Sequence, residues 1–162
     1  MKSRLLLLLM LIMVAGCASQ ATGPKFDAAS QPTIPANLAR IYVMRDTVTY
    51  LAQAPAVVSA QIFIDGKPLG ALKNGSFLLA DVVPGQHAII AASSDQTTRM
   101  VTAQSGVITY VAVWDRTRMI VPLVAEISAP VSEQDGRIWG VGKYSEGDAA
   151  KILPDLSSQQ GF

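Results

Sequence analysis

Four kinds of side chain in this sequence have the chemistry for a site: one thiol, one imidazole, two carboxylates beside turns, and six tyrosine and tryptophan rings. The thiol is Cys17, the only cysteine of the 162 residues. A lone cysteine makes no intramolecular disulfide, so its sulfur is left for another task or for none. The imidazole is His87, also the only one, and a single histidine excludes a histidine-rich metal centre within one chain. It follows Pro84-Gly85 at the start of an expected strand, where an ordinary hydrogen bond is the better reading than catalysis. Asp65 and Asp81 could act as paired carboxylates on a glycan, yet both sit at turns or strand ends, where aspartate serves its own backbone. Tyr42, Tyr50, Tyr110, Trp114, Trp139 and Tyr144 could stack on a sugar or fill a partner's pocket. Aromatic residues in strands more often build a core. Trp139, with glycines around it and outside the main β pattern, is the expected exception. Asp115-Arg116-Thr117-Arg118 reads as a solvated hairpin tip. No nucleophile elbow, phosphate loop or dinucleotide fingerprint is present. The expectation is a protein that is no enzyme, with no catalytic, metal-binding or cofactor-binding residue and no cofactor.

The elements around Cys17 say more. Lys2 and Arg4 form a short positive start, and Leu5 to Ala15 is an unbroken apolar run of eleven residues. A membrane-spanning helix needs roughly 20. A basic start, a short apolar core and small residues at its end describe an export signal. Its end, Val14-Ala15-Gly16-Cys17, resembles the lipobox of bacterial lipoproteins. The resemblance implies cleavage before Cys17, a diacylglycerol on its thiol and often a further acyl chain, such as palmitate, on the new amino group. Each buried methylene contributes about 0.8 kcal/mol, and one chain alone anchors only marginally; two or three would hold the protein on its membrane. Ala18 stands where an aspartate tends to retain lipoproteins in the inner membrane, so the address it resembles is the periplasmic side of the outer membrane.

Composition narrows the partners. The full chain has a formal net charge of +1, and loss of Lys2 and Arg4 with residues 1–16 takes it to −1. A near-neutral chain with scattered basic residues lacks the basic face expected for nucleic acid and lacks a polybasic membrane-binding surface. Residues 17–37, rich in Ala, Ser, Gln, Thr and Pro, have no hydrophobic periodicity and read as the lipidated cysteine and a flexible tether. A tether of about 20 residues has an end-to-end distance of roughly 25 Å.

Residues 38–128 read as one β-domain. Expected strands are Leu38–Arg45, Val57–Ile64, Pro68–Leu72, Ser76–Val82, Gln86–Ala92, Thr98–Ala103, Val107–Trp114 and Arg118–Ile127, the last at an edge because Pro122 donates nothing to a ladder. Asp65-Gly66 is a strong hairpin signal, since both central residues of the tight turn need positive φ. Asn74-Gly75, Pro84-Gly85 and Ser105-Gly106 mark further turns. Several strands, Val57–Ile64 among them, are apolar on both faces, which predicts more than one covering layer. Residues 129–162 read as an extension: Ser145 and the acids after it are placed to cap a short helix over Ala149–Leu153, and a polar, disordered end follows.

The run Ala39–Asp46 (ARIYVMRD) and the run Ile62–Ile89 resemble the domain-of-unknown-function 2846 family, many of whose members are bacterial lipoproteins. The shared residues are Tyr42 and Arg45, then Asp65-Gly66-Lys67 and Gly70, then Asn74-Gly75-Ser76 and Pro84-Gly85-x-His87. The resemblance implies an all-β fold, an immunoglobulin-like or transthyretin-like antiparallel β-sandwich, here with a short C-terminal helix; it carries over no catalytic residue. The expected function is a membrane-anchored, non-enzymatic interaction or structural module of the bacterial envelope, held by its N-terminal lipid and docking on an envelope protein. The alternative is a binding module for peptidoglycan, another glycan or a small apolar ligand.

Overall fold

The structure, a computed structural model, describes residue 21 and residues 23–46, 59–115 and 139–159. Among them are nine strands: β1 Ala39–Arg45, β2 Ala60–Ile64, β3 Lys67–Leu72, β4 Ser76–Val82, β5 Gly85–Ala92, β6 Gln96–Ala103, β7 Ile108–Asp115, β8 Trp139–Lys143 and β9 Ser157–Ser158. One α-helix, α1, covers Glu146–Ile152. The expected cleavage region with Cys17, Tyr50, the expected charged tip from Arg116 on and the expected strand Arg118–Ile127 lie outside the described residues.

The chain is an all-β sandwich. Its first sheet has the order β8-β7-β1-β4-β9 and its second β3-β2-β5-β6. Most pairings are antiparallel, as expected, but β1 pairs with β7 in parallel, Tyr42 opposite Tyr110, and β4 with β9 in parallel. Local turns impose antiparallel hairpins; strands far apart in sequence are free of that constraint. Asp65 (φ 50) and Gly66 (φ 76) make the tight turn that their residue types demand.

Side chains on a strand alternate between faces. Ala39, Ile41 and Val43 of β1 therefore enter the core between the sheets, with Ile62, Leu72, Leu78, Ile89, Val111, Val113 and Trp139. Fully burying a large aliphatic side chain contributes about 1.5–3 kcal/mol, so this core is the main stabilising mass. Tyr42 and Met44 face the other way, into a second cluster with Phe77, Ala149, Leu153 and Leu156. Every residue of β1 is buried as a result. The doubly covered strand is thus β1 and not the expected Val57–Ile64, where Gln61 is exposed and Phe63 half-buried. The central strand of a sheet covered on both sides has no solvent face.

Two segments expected to lie apart from the sandwich complete this second cluster. In the stretch read as a tether, the chain from Gly23 onward packs on the first sheet: Phe26 joins the second cluster, Phe26 N–H donates to Leu156 O (2.9 Å), and Ser158 N–H donates to Pro24 O (2.8 Å). In the stretch read as an extension, β8 adds a strand beside β7, and α1 forms with Ser145 as its cap, the hydroxyl accepting from the Asp148 N–H. The polar end is corrected as well. Ser157 and Ser158 pair with Ser76 and Phe77, their N–H groups donating to Gly75 O and Pro24 O, while residues 160–162 lie outside the described residues.

The strand directions define two ends of the sandwich. At the Arg45 end lie the starts of β2, β4, β6 and β8 and the ends of β1, β3, β5 and β7; at the Ala39 end lie the opposite termini.

Candidate functional site

His87 sits on β5 at the Ala39 end, 5% exposed. Its Nδ1 lies 2.6 Å from Asp65 Oδ2, and its Nε2 lies 2.7 Å from Val83 O. A carbonyl only accepts, so Nε2 carries a proton, and a carboxylate beside Nδ1 favours a proton there too. Burial pulls the imidazole pKa down, but the hydrogen bonds to Asp65 and Val83 and the Asp65 charge prevail and hold it above its ordinary value. Asp65 responds in kind: the His87 bond first, then the Ala88 N–H at 2.8 Å, hold its carboxyl below the usual range. The turn residue Asp65 is thereby tied to β5 by side chain and backbone alike, since its own N–H donates to Ala88 O at 2.9 Å. Chemically this is an imidazolium that donates on both sides, with neither nitrogen turned to a hydroxyl or to solvent.

Asp81, the other candidate carboxylate, belongs to a different sheet and a different partner. It takes a bidentate pair from Arg40, Nε to Oδ1 at 2.7 Å and Nη2 to Oδ2 at 2.8 Å. Arg40 is 2% exposed and donates a third bond to Pro32 O. The Asp81 hydrogen bond raises its pKa against the cost of burial. The two aspartates are each held by a separate partner, Asp65 by His87 and Asp81 by Arg40. Among the described residues no group of three or more His, Cys, Asp or Glu is placed to hold a metal ion.

The aromatic residues divide. Trp139, the expected exception, is fully buried in the core between the sheets, a correction with a plain cause. It belongs to β8, the outer strand of the first sheet beside β7, and turns its ring into the core, with its Nε1 donating to Ser93 Oγ at 2.9 Å and the Arg45 guanidinium 4.9 Å from its ring centroid. Tyr42 is buried too, stacked on Tyr110 with centroids 5.8 Å apart and met edge-on by Phe26; its hydroxyl is 3.1 Å from Gln31 Oε1. Tyr110, Trp114 and Tyr144 are half-buried. Burial pushes Tyr144 up to about 12, so its phenol stays protonated at neutral pH. Trp114 lies flat on Gly140: a Cβ there would meet its ring at 2.1 Å.

Sequence reasoning assigned no role to Phe26, Gln31, Arg40 or Ser93, which the structure makes partners of Tyr42, Asp81 and Trp139. Only Arg40 carried a legible signal, a charge inside the otherwise apolar run of β1 (ARIYVMR).

The family description "protein of unknown function (DUF2846)" matches residues 35–122 of the chain. That is just over half of the sequence, from the entry of β1 past the end of β7. The chain belongs to the DUF2846 family. No curated protein and no solved structure matches it. The DUF2846 stretch contains the Asp65–His87 and Arg40–Asp81 pairs, while Phe26, Gln31, Trp139 and α1 are contributed by flanking sequence.

Proposed function

We propose that this DUF2846 protein is a lipid-anchored lipoprotein of the bacterial envelope, on the periplasmic side of the outer membrane, whose sandwich is a non-enzymatic docking module. The observation that carries the anchor is Cys17 itself: the only cysteine, placed directly after Val14-Ala15-Gly16 at the end of an eleven-residue apolar run behind Lys2 and Arg4. The geometry of His87 supports the non-enzymatic part, since a general base needs a ring nitrogen within reach of the proton it removes and both nitrogens here donate within the fold.

Docking is supported by β6. Among the described residues it pairs on one side only, with β5, and Thr98, Arg99 and Met100 on it are exposed. At Thr97 its hydroxyl donates to Trp139 O of β8 at 2.7 Å; beyond that contact, a strand edge of this kind accepts a partner's strand by backbone hydrogen bonds. The second reading, a binding module for peptidoglycan, another glycan or a small apolar ligand, is favoured by the partial exposure of Tyr110, Trp114 and Tyr144.

The test is intact-mass measurement and membrane fractionation of wild type and Cys17→Ser, with a photo-crosslinker at Met100. The expected result is an acylated, membrane-bound wild type, an unacylated variant, and an envelope protein crosslinked at Met100. A wild type without acyl mass would overturn the anchor; recovery of glycan fragments without protein would put the second reading first.

A further inference from the structure

The two sheets differ in what lies on their outer faces. On the first, α1, Phe26 and Leu156 pack over Tyr42, Met44 and Phe77. On the second, no element among the described residues does the same: Gln61, Thr98, Met100 and Thr102 are exposed there, and Phe63, Ala88 and Ile90 are half-buried. Alternation assigns these residues to the outer face, because Ile62, Ile64, Ile89, Ala91 and Val101 between them enter the core.

Cross-strand register puts Phe63 opposite Ile90 and Pro68, Ile90 opposite Thr98, and Ala88 opposite Met100. The face thus has an apolar centre, Phe63, Ala88, Ile90 and Met100, with Gln61, Gln86, Thr98 and Thr102 around it. The same alternation keeps charge away from it. Lys67, His87 and Arg99 are the charged or titratable residues of β2, β3, β5 and β6, and they stand in the inward rows of Ile64, Ile89 and Val101. A solvated sheet face is normally polar throughout. The centre of a protein interface is instead apolar and depleted of charge, with aromatic residues and methionine enriched.

We infer that the outer face of the second sheet is a homodimer interface, on which two copies of this chain pack face to face about a two-fold axis. Its composition selects a second copy. A charged surface set against it would lose hydration without compensation. An identical face sets apolar centre on apolar centre, and Gln and Thr side chains both donate and accept, so a rim made of them pairs with itself. The full chain, with a formal net charge of +1, adds little long-range repulsion between copies. Size agrees as well. Four strands about 4.8 Å apart, with about 20 Å of β5 from Gln86 to Ala92, give roughly 400 Å² in projection on each copy. Two corrugated faces bury on the order of 1,000 Å², the lower bound for a specific interface, so the dimer is a weak, reversible one. The β6 edge stays open in this arrangement, and the inference depends neither on docking there nor on lipidation of Cys17.

The test places the photo-reactive residue p-benzoylphenylalanine in the full-length protein in intact cells. One position is Gln61, on the face and two strands away from the β6 edge; the control is Lys151, exposed on α1 over the other sheet. The expected result is an adduct of twice the chain's mass from position 61 and none from 151, with both crosslinked peptides belonging to this protein. Thr98→Glu, which puts a charge on an exposed residue of the face, should reduce that adduct several-fold while leaving the circular dichroism unchanged. A crosslink from position 61 within a single chain would overturn the inference, because the face would then be covered by its own chain. An adduct only to a different protein or to glycan, no adduct, or a dimer adduct indifferent to Thr98→Glu would overturn it too.

Discussion

Asp65 Oδ2 lies 2.6 Å from His87 Nδ1, and that contact joins two turns separated by 22 residues of sequence. Asp65 occupies the β2–β3 turn; His87 follows the β4–β5 connection and reaches back to Val83 in it. The only histidine of the chain thus serves as a rivet across the Ala39 end, and its charge state is coupled to folding.

The pH dependence follows from the sign of the shift. The pKa of His87 is raised in the fold above its ordinary 6.5, so the native state binds its proton more tightly than the unfolded chain. The stabilisation is complete below about pH 6.5 and is lost as pH rises through the folded-state pKa. Asp65, lowered from 3.8, works in the opposite sense, adding stability above its unfolded pKa that is lost as pH falls through its folded one. Urea denaturation between pH 5 and 9 should show wild type losing stability as pH rises, and His87→Gln should flatten that slope. An unchanged slope in the variant would mean that His87 is not the group responsible.

Trp139→Ala should cost about 3–5 kcal/mol, because it empties a large core position and strands a hydrogen bond. Trp139→Phe, which fills most of the volume and removes only the donor to Ser93, should cost about 1 kcal/mol. Chemical denaturation of the two variants distinguishes a core tryptophan from a surface one, where both changes would be near neutral.

Gly140→Ala should destabilise by about 1–3 kcal/mol through overpacking, since its Cβ would land inside contact distance of Trp114. The ring has to lift toward solvent. A red shift of tryptophan emission should accompany the loss, and Trp114→Ala should relieve it in the double variant.

Breaking the Arg40–Asp81 pair should depend on which partner goes. Asp81→Ala leaves a guanidinium that is 2% exposed without its carboxylate, at a cost of about 3 kcal/mol; Arg40→Met, which replaces the charge by an apolar chain of similar length, should cost less. Equal losses would indicate that packing, not the buried charge, sets the effect.

Phe26→Ala should release the N-terminal segment. Its ring meets Tyr42 and Phe77 at 5.9 and 5.7 Å, and without it the backbone bonds at Pro24 and Phe26 have little to hold them. Cleavage by trypsin after Lys25 should accelerate about tenfold or more, as expected for a loss of about 1.4 kcal/mol or more in local stability.

What could be read from the sequence was whatever neighbouring residues decide among themselves. The Asp65-Gly66 turn is one example, because positive φ is a property of the two residues that adopt it. The Ser145 cap is another, since the hydroxyl and the Asp148 N–H lie three residues apart. The strands from Ala39 to Asp115 emerge close to their expected bounds for the same reason, each being a β-rich run closed by its own turn.

The candidate site was legible only in its residue types. His87 and Asp65 were both visible as turn residues, yet nothing in either stretch says that they touch. Trp139 looked exposed because of the glycines near it, and it is buried because β8 pairs with β7 and turns that side chain into the core between the sheets. The polar, proline-rich stretch from Gly23 to Asn37 looked free. Phe26 is its single large apolar side chain before Ile34, and one ring has no periodicity to reveal.

The lone thiol, the turns and the β character of the chain follow from the sequence, all of them local or compositional properties. Tertiary structure alone decided the parallel pairing of β1 with β7, the Asp65–His87 and Arg40–Asp81 pairs and the docking of the N-terminal segment. Those depend on surfaces that exist only after the sheets have formed, and on contacts between residues too far apart in the chain for any local pattern to link them.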